Sequence, residues 1–372
     1  MFGVLRKRRL AARGLRRKGL AIAAAGTALF GVAGCSSAPA DTERAIDVTS
    51  DPAGCADGDV TPAIDRASGP FRFTDGRGRT ISLDQQPERI IADEESAAAL
   101  YSYGIKPIAI WSTTPMDKSP ILQCLDLAGV QSVGEAWGSI SVEAVLALDP
   151  DLIVGEYNPR FEQFGKLTTT GDATKSDVLD NVAPTLGVTL DTTSTARTID
   201  NYQELAQALG VNLDSGRLAE IKADFDAAVA NFHQVAAEKR GVIGMGIWPL
   251  DVAYVLDPTA DPDFSDYLSW GLSMYQPATT DDGYWKKISW ENITTVDADL
   301  MFVYRDVANA PDLRLSDLAG EYPTFGTLSG VNAGQMVFWD YGANKSYPRY
   351  TKTINAFAAA LSASDTVIPA NR

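Results

Sequence analysis

The clearest structural signal in this chain is the stretch Ser141-Val142-Glu143-Ala144-Val145-Leu146-Ala147-Leu148-Asp149-Pro150-Asp151-Leu152-Ile153-Val154. It predicts a helix over 142–148, a Pro-Asp turn, and a short buried strand over 152–154. A helix that turns directly into a buried strand is the repeating unit of α/β proteins. The stretch therefore predicts an α/β fold.

Strands and helices alternate on both sides of this stretch. Order is expected to begin with strands at 71–74 and 80–83. The pattern then predicts strands at 89–92, 107–111 and 188–190, and helices at 96–103 and 178–182. This alternation is typical of βαβ units that build a parallel sheet.

A long amphipathic helix is predicted at 214–239, because Leu218, Ile221, Phe225, Val229 and Phe232 recur at steps of three and four residues. Alternation resumes after it, with strands expected at 242–247, 252–256, 293–296, 300–304 and 336–339 and a last helix at 350–362. The chain length of 372 residues suits two lobes, each with its own core.

The N-terminus predicts export and a lipid anchor. Eight basic residues and no acidic residue precede an apolar run over 19–34, which is typical of a signal peptide. The run ends in Val32-Ala33-Gly34-Cys35, which resembles the lipobox of bacterial lipoproteins. We expect Cys35 to be acylated and to hold the chain on the outer face of the cytoplasmic membrane. Arg16-Arg17 leaves open whether export follows the general or the twin-arginine route.

Without residues 1–34, 24 Lys and Arg stand against 48 Asp and Glu, a formal charge of −24. Such an acidic chain disfavours nucleic-acid binding. Of the three cysteines, Cys55 and Cys124 remain once Cys35 is assigned to lipid. They are expected to form a disulfide, with two unrelated thiols as the alternative. A chain with one histidine, His233, is not expected to hold a metal site or a cofactor.

Four segments resemble the class III substrate-binding proteins that serve ABC importers of iron–siderophores, haem and cobalamin. The first is Phe73-Thr74-Asp75-Gly76 to Ile81 with Pro87-Glu88-Arg89-Ile90-Ile91, and the second is the helix–strand stretch at 141–154. A weaker copy of that stretch lies at 288–303, and 323–338 resembles the closing helix and strand of the family. These segments cover residues 71–363 in the order that the family has.

The resemblance implies two Rossmann-like lobes joined by a single long rigid α-helix, with the ligand in the cleft between the lobes. We therefore predict a signal peptide at 1–34, a tether at 35–70, an N-terminal lobe at 71–213, the interlobe helix at 214–239 and a C-terminal lobe at 240–372. The implied function is that of a monomeric, non-enzymatic binding component. It captures a ferric siderophore and delivers it to an ABC permease with its ATPase.

Ligands of open α/β sheets lie beyond the carboxyl ends of the strands. Aromatic and arginine side chains at these ends suit a large, partly apolar chelate that is rimmed by oxygen atoms. The ligand-binding candidates are Trp111, Trp137, Tyr157, Arg160, Trp248, Trp285, Tyr304, Arg305, Tyr341 and Arg349. Aromatic residues after strands also commonly just cover the sheet, so each can instead be a packing residue.

The acidic trio Asp93-Glu94-Glu95 departs from the small hydroxyl-bearing loop of the family. If it faces the cleft, it disfavours a trianionic ferric catecholate and favours a neutral or cationic chelate such as a ferric hydroxamate. The resemblance also assigns Glu143 and Glu291, one on each copy of the repeated stretch, to docking on permease arginines. The alternative for the acidic trio is a solvated turn. The alternative for Glu143 and Glu291 is that they are ordinary exposed glutamates.

Two other functions remain open at this point. The cargo can be haem or cobalamin, since a tyrosine such as Tyr157 or Tyr304 is able to ligate haem iron. The chain can also be a sensor lipoprotein that kept the fold without transport. An exported hydrolase is disfavoured, because no Gly-x-Ser-x-Gly elbow occurs and the one histidine leaves no evident triad.

Overall fold

The computed structural model describes residues 55–56, 59–167, 169–170, 173–214, 216–305, 314–340 and 345–369. The signal peptide, Cys35, most of the tether and Tyr341 lie outside the described residues. No described helix is both long enough and apolar enough to cross a membrane.

The N-terminal lobe is built on a parallel sheet with the strand order β10-β6-β3-β4-β5, and β7 pairs antiparallel with β6. The strands of this lobe are β1 (Phe71–Thr74), β2 (Thr80–Leu83), β3 (Ile90–Asp93), β4 (Ala109–Ser112), β5 (Gln131–Glu135), β6 (Leu152–Asn158), β7 (Gln163–Phe164), β8 (Thr169–Thr170), β9 (Ala173–Thr174) and β10 (Thr185–Thr189). Its helices are α1 (Glu94–Ser102), α2 (Val142–Ala147), α3 (Lys175–Leu179) and α4 (Thr195–Ala208). The predicted alternation is present, with α1 and α3 beginning two to three residues earlier than expected.

The Pro-Asp turn that dominates the sequence pattern ties two neighbouring strands together. Asp149 adopts a left-handed conformation with φ 45°, which ends α2. One carboxylate oxygen of Asp151 accepts the backbone N–H groups of Glu88 and Arg89, both at 2.8 Å. The turn before β6 is therefore fixed to the start of β3, beside which β6 lies in the sheet.

A 23-residue helix, α5 (Gly216–Glu238), follows the N-terminal lobe, close to the predicted 214–239. Along its whole length the helix buries an apolar face that includes Leu218, Phe225 and Phe232. This face packs along the last helix, α9 (Tyr347–Ala363), where the ring centroids of Phe225 and Tyr347 lie 4.8 Å apart.

The C-terminal lobe contains a mixed sheet with the order β14-β12-β11-β15-β16. Its elements are β11 (Ile243–Pro249), β12 (Ala253–Leu256), α6 (Pro262–Ser269), β13 (Ser273–Met274), β14 (Trp285–Ile288), β15 (Leu300–Tyr304), α7 (Leu315–Glu321), α8 (Ser329–Asn332), β16 (Met336–Trp339) and α9. Strands β12 and β14 run antiparallel to their neighbours, whereas β11, β15 and β16 are parallel. A sheet of parallel βαβ units alone does not describe this lobe.

The prediction of a strand at 293–296 is wrong. The chain forms a 3-10 helix at Trp290–Thr295 instead. Ile293 and Val296, whose apolar side chains suggested a strand, are three residues apart and both are buried, which suits one face of a tight helix.

One apolar core runs through both lobes. It contains Leu100 and Val188 of the first lobe, Phe232 of α5, and Phe302 and Phe357 of the second lobe. A smaller cluster lies on the outer side of each sheet. The structure thus confirms an α/β fold with two sheet-containing lobes joined by a helix.

The chain before the first lobe is held to both lobes. Cys55 and Cys124 form a disulfide, which fixes this segment to the first lobe. Thr61 donates its backbone N–H and its hydroxyl to the carbonyl oxygens of Tyr101 and Ser102 at the end of α1. Asp59 forms a buried ion pair with Arg349 in the first turn of α9, with 3.0 Å between the charged atoms.

Candidate ligand-binding cleft

The carboxyl ends of strands from both sheets approach each other between the lobes. A buried ion pair crosses this space, because Lys345, just before α9, donates to Glu156 on β6 at 2.7 Å. A second contact crosses it nearer the surface. There the guanidinium group of Arg160, which follows β6, lies 4.4 Å from the ring centroid of Tyr284. These two contacts define the candidate ligand-binding cleft.

The first lobe contributes acidic side chains to the cleft. Asp93, at the end of β3, caps α1 by accepting the backbone N–H of Ser96 at 2.8 Å, and it accepts the N–H of Glu156 at 2.7 Å. Burial raises the pKa of Asp93 to about 6, and the nearby charge of Glu156 acts in the same direction. The carboxylate of Asp93 thus holds β6 and the start of α1 in place, although burial disfavours its charged form.

Glu94 and Glu95, in the first turn of α1, differ in how well their oxygens are satisfied. Glu94 accepts the N–H and hydroxyl of Thr113 at 3.0 and 2.7 Å and the hydroxyl of Ser119 at 2.5 Å. Glu95 accepts from Lys166 through one oxygen, and its other oxygen, Oε2, is buried without a hydrogen-bond partner. The ammonium of Lys166 also lies 5.9 Å from the ring centroid of Trp137, whose side chain is exposed at the rim.

The two ammonium groups of the cleft lie close enough to influence each other. Burial lowers the pKa of Lys166; the neighbouring Lys345 charge also lowers it, and the Glu94 carboxylate opposes the shift. Asp93, Glu94, Glu95 and Glu156 together outnumber these two cations. The centre of the cleft therefore carries an excess of negative charge.

The second lobe contributes aromatic rings at the ends of its strands. The centroid of the Trp248 ring lies 4.9 Å from that of Tyr304 and 6.0 Å from that of Trp285. Trp339 backs this group at 5.6 Å from Tyr304 and is completely buried. Trp248, Trp285 and Tyr304 are each only partly buried, so they form a half-covered aromatic wall. We call these three residues the aromatic wall.

The structure does not bring all ten ligand candidates together. Trp111 is buried in the first-lobe core, where its indole N–H donates to the carbonyl oxygen of Gly165 at 2.8 Å. Arg349 is buried in its ion pair with Asp59. Tyr157 is partly buried on β6, in register with Thr189 on β10.

Arg305 remains at a strand end but has a partner there. Its guanidinium group donates to both carboxylate oxygens of Asp340, at 3.0 and 2.8 Å, and lies over the ring of Phe338. These contacts orient the arginine at the ends of β15 and β16.

The two glutamates assigned to permease docking are exposed, one on each lobe. Glu143 lies in the first turn of α2, and Glu291 lies in the 3-10 helix after β14. Hydrogen bonds to its own backbone N–H and to Ser289 lower the pKa of Glu291.

Two cavities in the described part of the chain lie elsewhere. One of about 310 Å³ is lined by α4, the start of α5 and the start of α9, and one of about 350 Å³ is lined by residues that include Tyr275, Lys286 and Asn292. No cluster of three or more histidine, cysteine, aspartate or glutamate side chains suited to a metal ion occurs among the residues described.

The family model described as "Periplasmic binding protein" matches residues 111–341, which is more than half of the chain. The chain therefore belongs to this family of periplasmic binding proteins, and the resemblance to its class III members is confirmed. The family consists of binding proteins and not of enzymes, as expected. No curated protein sequence matches the chain.

Solved structures with the same fold include three siderophore proteins. The ferric-siderophore receptor protein DesE from Streptomyces coelicolor is 24% identical, with a TM-score of 0.69 over 80% of this chain and 99% of DesE. The siderophore periplasmic binding protein from the fuscachelin gene cluster of Thermobifida fusca is 21% identical, with a TM-score of 0.57 over 74% and 96% of the two chains. The catecholate-siderophore binding protein VctP from Vibrio cholerae is 19% identical, with a TM-score of 0.56 over 79% and 100%.

Proposed function

We propose that this protein is a lipid-anchored, monomeric binding component of an ABC importer that captures a ferric siderophore of the hydroxamate type. The observation that carries the proposal is the cleft itself, where the strand ends of one lobe carry an aromatic wall, those of the other lobe carry buried acidic residues, and the Lys345–Glu156 ion pair links the two lobes. Three solved structures with this fold are named as siderophore-binding proteins, which supports the same ligand class.

The preference for hydroxamates follows from charge. A ferric tris-catecholate carries three negative charges, whereas a ferric tris-hydroxamate is neutral. At the centre of the cleft four carboxylates against two ammonium groups disfavour the trianion, and this repulsion is strong because the groups are buried, whereas the cation of Arg160 lies nearer the surface. The indole and phenol rings of the aromatic wall supply rigid apolar contact that suits a bulky neutral chelate.

Quenching of tryptophan fluorescence tests the ligand, since Trp248 and Trp285 lie in the proposed site. A ferric tris-hydroxamate is expected to quench the emission at lower concentration than a ferric tris-catecholate. Tighter binding of the catecholate would overturn the hydroxamate assignment. A Soret shift with haemin, or quenching by cobalamin alone, would favour the other cargoes of this family.

Transport tests the docking residues separately from ligand binding. We expect Glu143→Ala combined with Glu291→Ala to leave chelate affinity unchanged and to abolish uptake into cells, because both side chains are exposed and each lies on a different lobe. Glu220→Ala is the matched control, since Glu220 is an exposed glutamate on α5 away from either position. Uptake that survives the double substitution would reject the docking assignment.

The membrane anchor rests on Cys35. In cells grown with a radioactive fatty acid, Cys35→Ser is expected to prevent labelling of the protein and to release it from the membrane fraction. A variant that is still labelled would contradict the assignment.

A further inference from the structure

We propose that Glu95 determines ligand specificity by accepting a hydrogen bond from a cationic arm of the siderophore, such as a primary ammonium group. The inference rests on the proposed function, because it assumes that a ferric chelate enters the cleft. It adds the chemical class of the chelate and the residue that reads it.

The argument starts from the unsatisfied oxygen of Glu95. Within the part of the chain that the structure describes, Glu95 Oε2 is the one buried carboxylate oxygen that lacks a hydrogen-bond partner. The side chain is 3% exposed, so bulk water does not solvate this oxygen. A buried carboxylate oxygen without a donor is costly, and such an atom is expected where a ligand supplies the missing donor.

The neighbouring carboxylates show that the missing donor is peculiar to Glu95. Asp93 and Glu94, which precede it directly in the chain, hold the backbone and hydroxyl groups around the end of β3. Glu95 has Lys166 on one side only. Of the three consecutive acids, Glu95 alone keeps an acceptor position available.

Local charge favours a cation as the donor. The Glu95–Lys166 pair adjoins Glu94, whose Oε1 lies 4.0 Å from the ammonium of Lys166, and the Glu156–Lys345 pair that links the lobes. Asp93 adds a further acid whose pKa burial raises. A neutral hydroxyl would satisfy the oxygen of Glu95, but an ammonium would in addition offset the excess negative charge of the cluster.

The exposed ring of Trp137 lies beside the Glu95–Lys166 pair, with the ammonium of Lys166 5.9 Å from the ring centroid. Aromatic rings attract cations, so a ring that already contacts one ammonium group is compatible with a cationic arm on the ligand.

The test uses two ferric chelates that differ in one group. The first is a linear ferric tris-hydroxamate with a free terminal amine, and the second is the same chelate with that amine acetylated. The full chain is expected to bind the free-amine chelate at least about tenfold more tightly at pH 7, as judged by calorimetry, because a charge-assisted hydrogen bond is lost on acetylation.

Glu95→Gln is expected to reduce this preference to less than about threefold while the affinity for the acetylated chelate stays unchanged. Lys166→Met is expected to increase the preference, since it leaves both oxygens of Glu95 to the ligand. Glu88→Gln is the matched control. It removes the same charge from an exposed position at the opposite end of β3 and should keep the preference of the natural chain.

Each outcome has a separate meaning. Equal binding of the two chelates by the natural chain, or a preference that survives Glu95→Gln, would overturn the inference and leave the proposed function intact. If neither chelate binds but a ferric catecholate, haemin or cobalamin does, the hydroxamate function fails and the role of Glu95 fails with it.

Discussion

The two lobes present different chemistry to the same cleft. The first lobe places Asp93, Glu94 and Glu95 at the junction of β3 and α1, where hydrogen bonds and one lysine fix them. The second lobe presents the aromatic wall. Rings provide contact area that depends little on the exact ligand, whereas buried charges discriminate strongly by sign. The comparison suggests that the second lobe supplies affinity and the first lobe supplies selection.

The largest effect is expected from removal of the Lys345 ammonium group, which links the two lobes through Glu156. Lys345→Met leaves Glu156 buried without its cation, so we expect the free energy of unfolding to fall by about 4 kcal/mol in urea denaturation. Adding Glu156→Gln to the same chain should restore most of the loss, because no uncompensated charge then remains. A single variant as stable as the natural chain would show that the pair is not a buried link.

The pH dependence of stability probes the first lobe when the natural chain is compared with an Asp93 variant. The pKa of Asp93 is raised to about 6 in the folded chain from an ordinary value near 3.8, so the folded state binds the proton more tightly than the unfolded state. Asp93 therefore costs stability as the pH rises from 4 to 6, by about 3 kcal/mol in total.

Asp93→Asn is expected to abolish this component, because asparagine does not titrate and can still cap α1. Measured against the natural chain at each pH, the variant should gain relative stability between pH 4 and 6 and show a constant difference above pH 7. Two stability profiles that stay parallel across this range would contradict the assigned pKa.

Removal of a ring probes the second lobe. Trp248→Ala is expected to weaken every ferric chelate about 30-fold, with little change in the preference between chelates, because it removes contact area without changing charge. The control is Trp290→Ala. Trp290 stacks on Tyr322 and packs against a different apolar cluster from Trp285 and Tyr304, so its loss should lower the melting temperature and leave chelate affinity unchanged.

Much of the fold follows from local sequence patterns. The Pro-Asp turn predicted both α2 and β6, and the spacing of Leu218, Phe225 and Phe232 predicted α5 to within two residues at its start. The direction of β12 and β14 does not follow from such patterns. Strand direction is set by which strands pair, and pairing depends on residues that are distant in the chain.

The candidate site is predictable only in part. Positions after strands led to Trp248, Trp285 and Tyr304, which the fold brings together. The same reasoning included Trp111, whose side chain points into the core. Neither the contact of the left-handed residue Lys166 with Glu95 nor that of Lys345 with Glu156 was predicted, because these contacts span 71 and 189 positions in the sequence.

The apolar core that continues from one lobe through α5 into the other has a consequence for folding. Neither half has a complete interior of its own, since one apolar cluster contains Ile199 and Tyr202 of the first lobe together with Phe264 and Phe357 of the second. The described domain should therefore lose its structure in one cooperative transition. Either half expressed by itself would leave its side of that shared cluster in contact with water and would aggregate rather than fold.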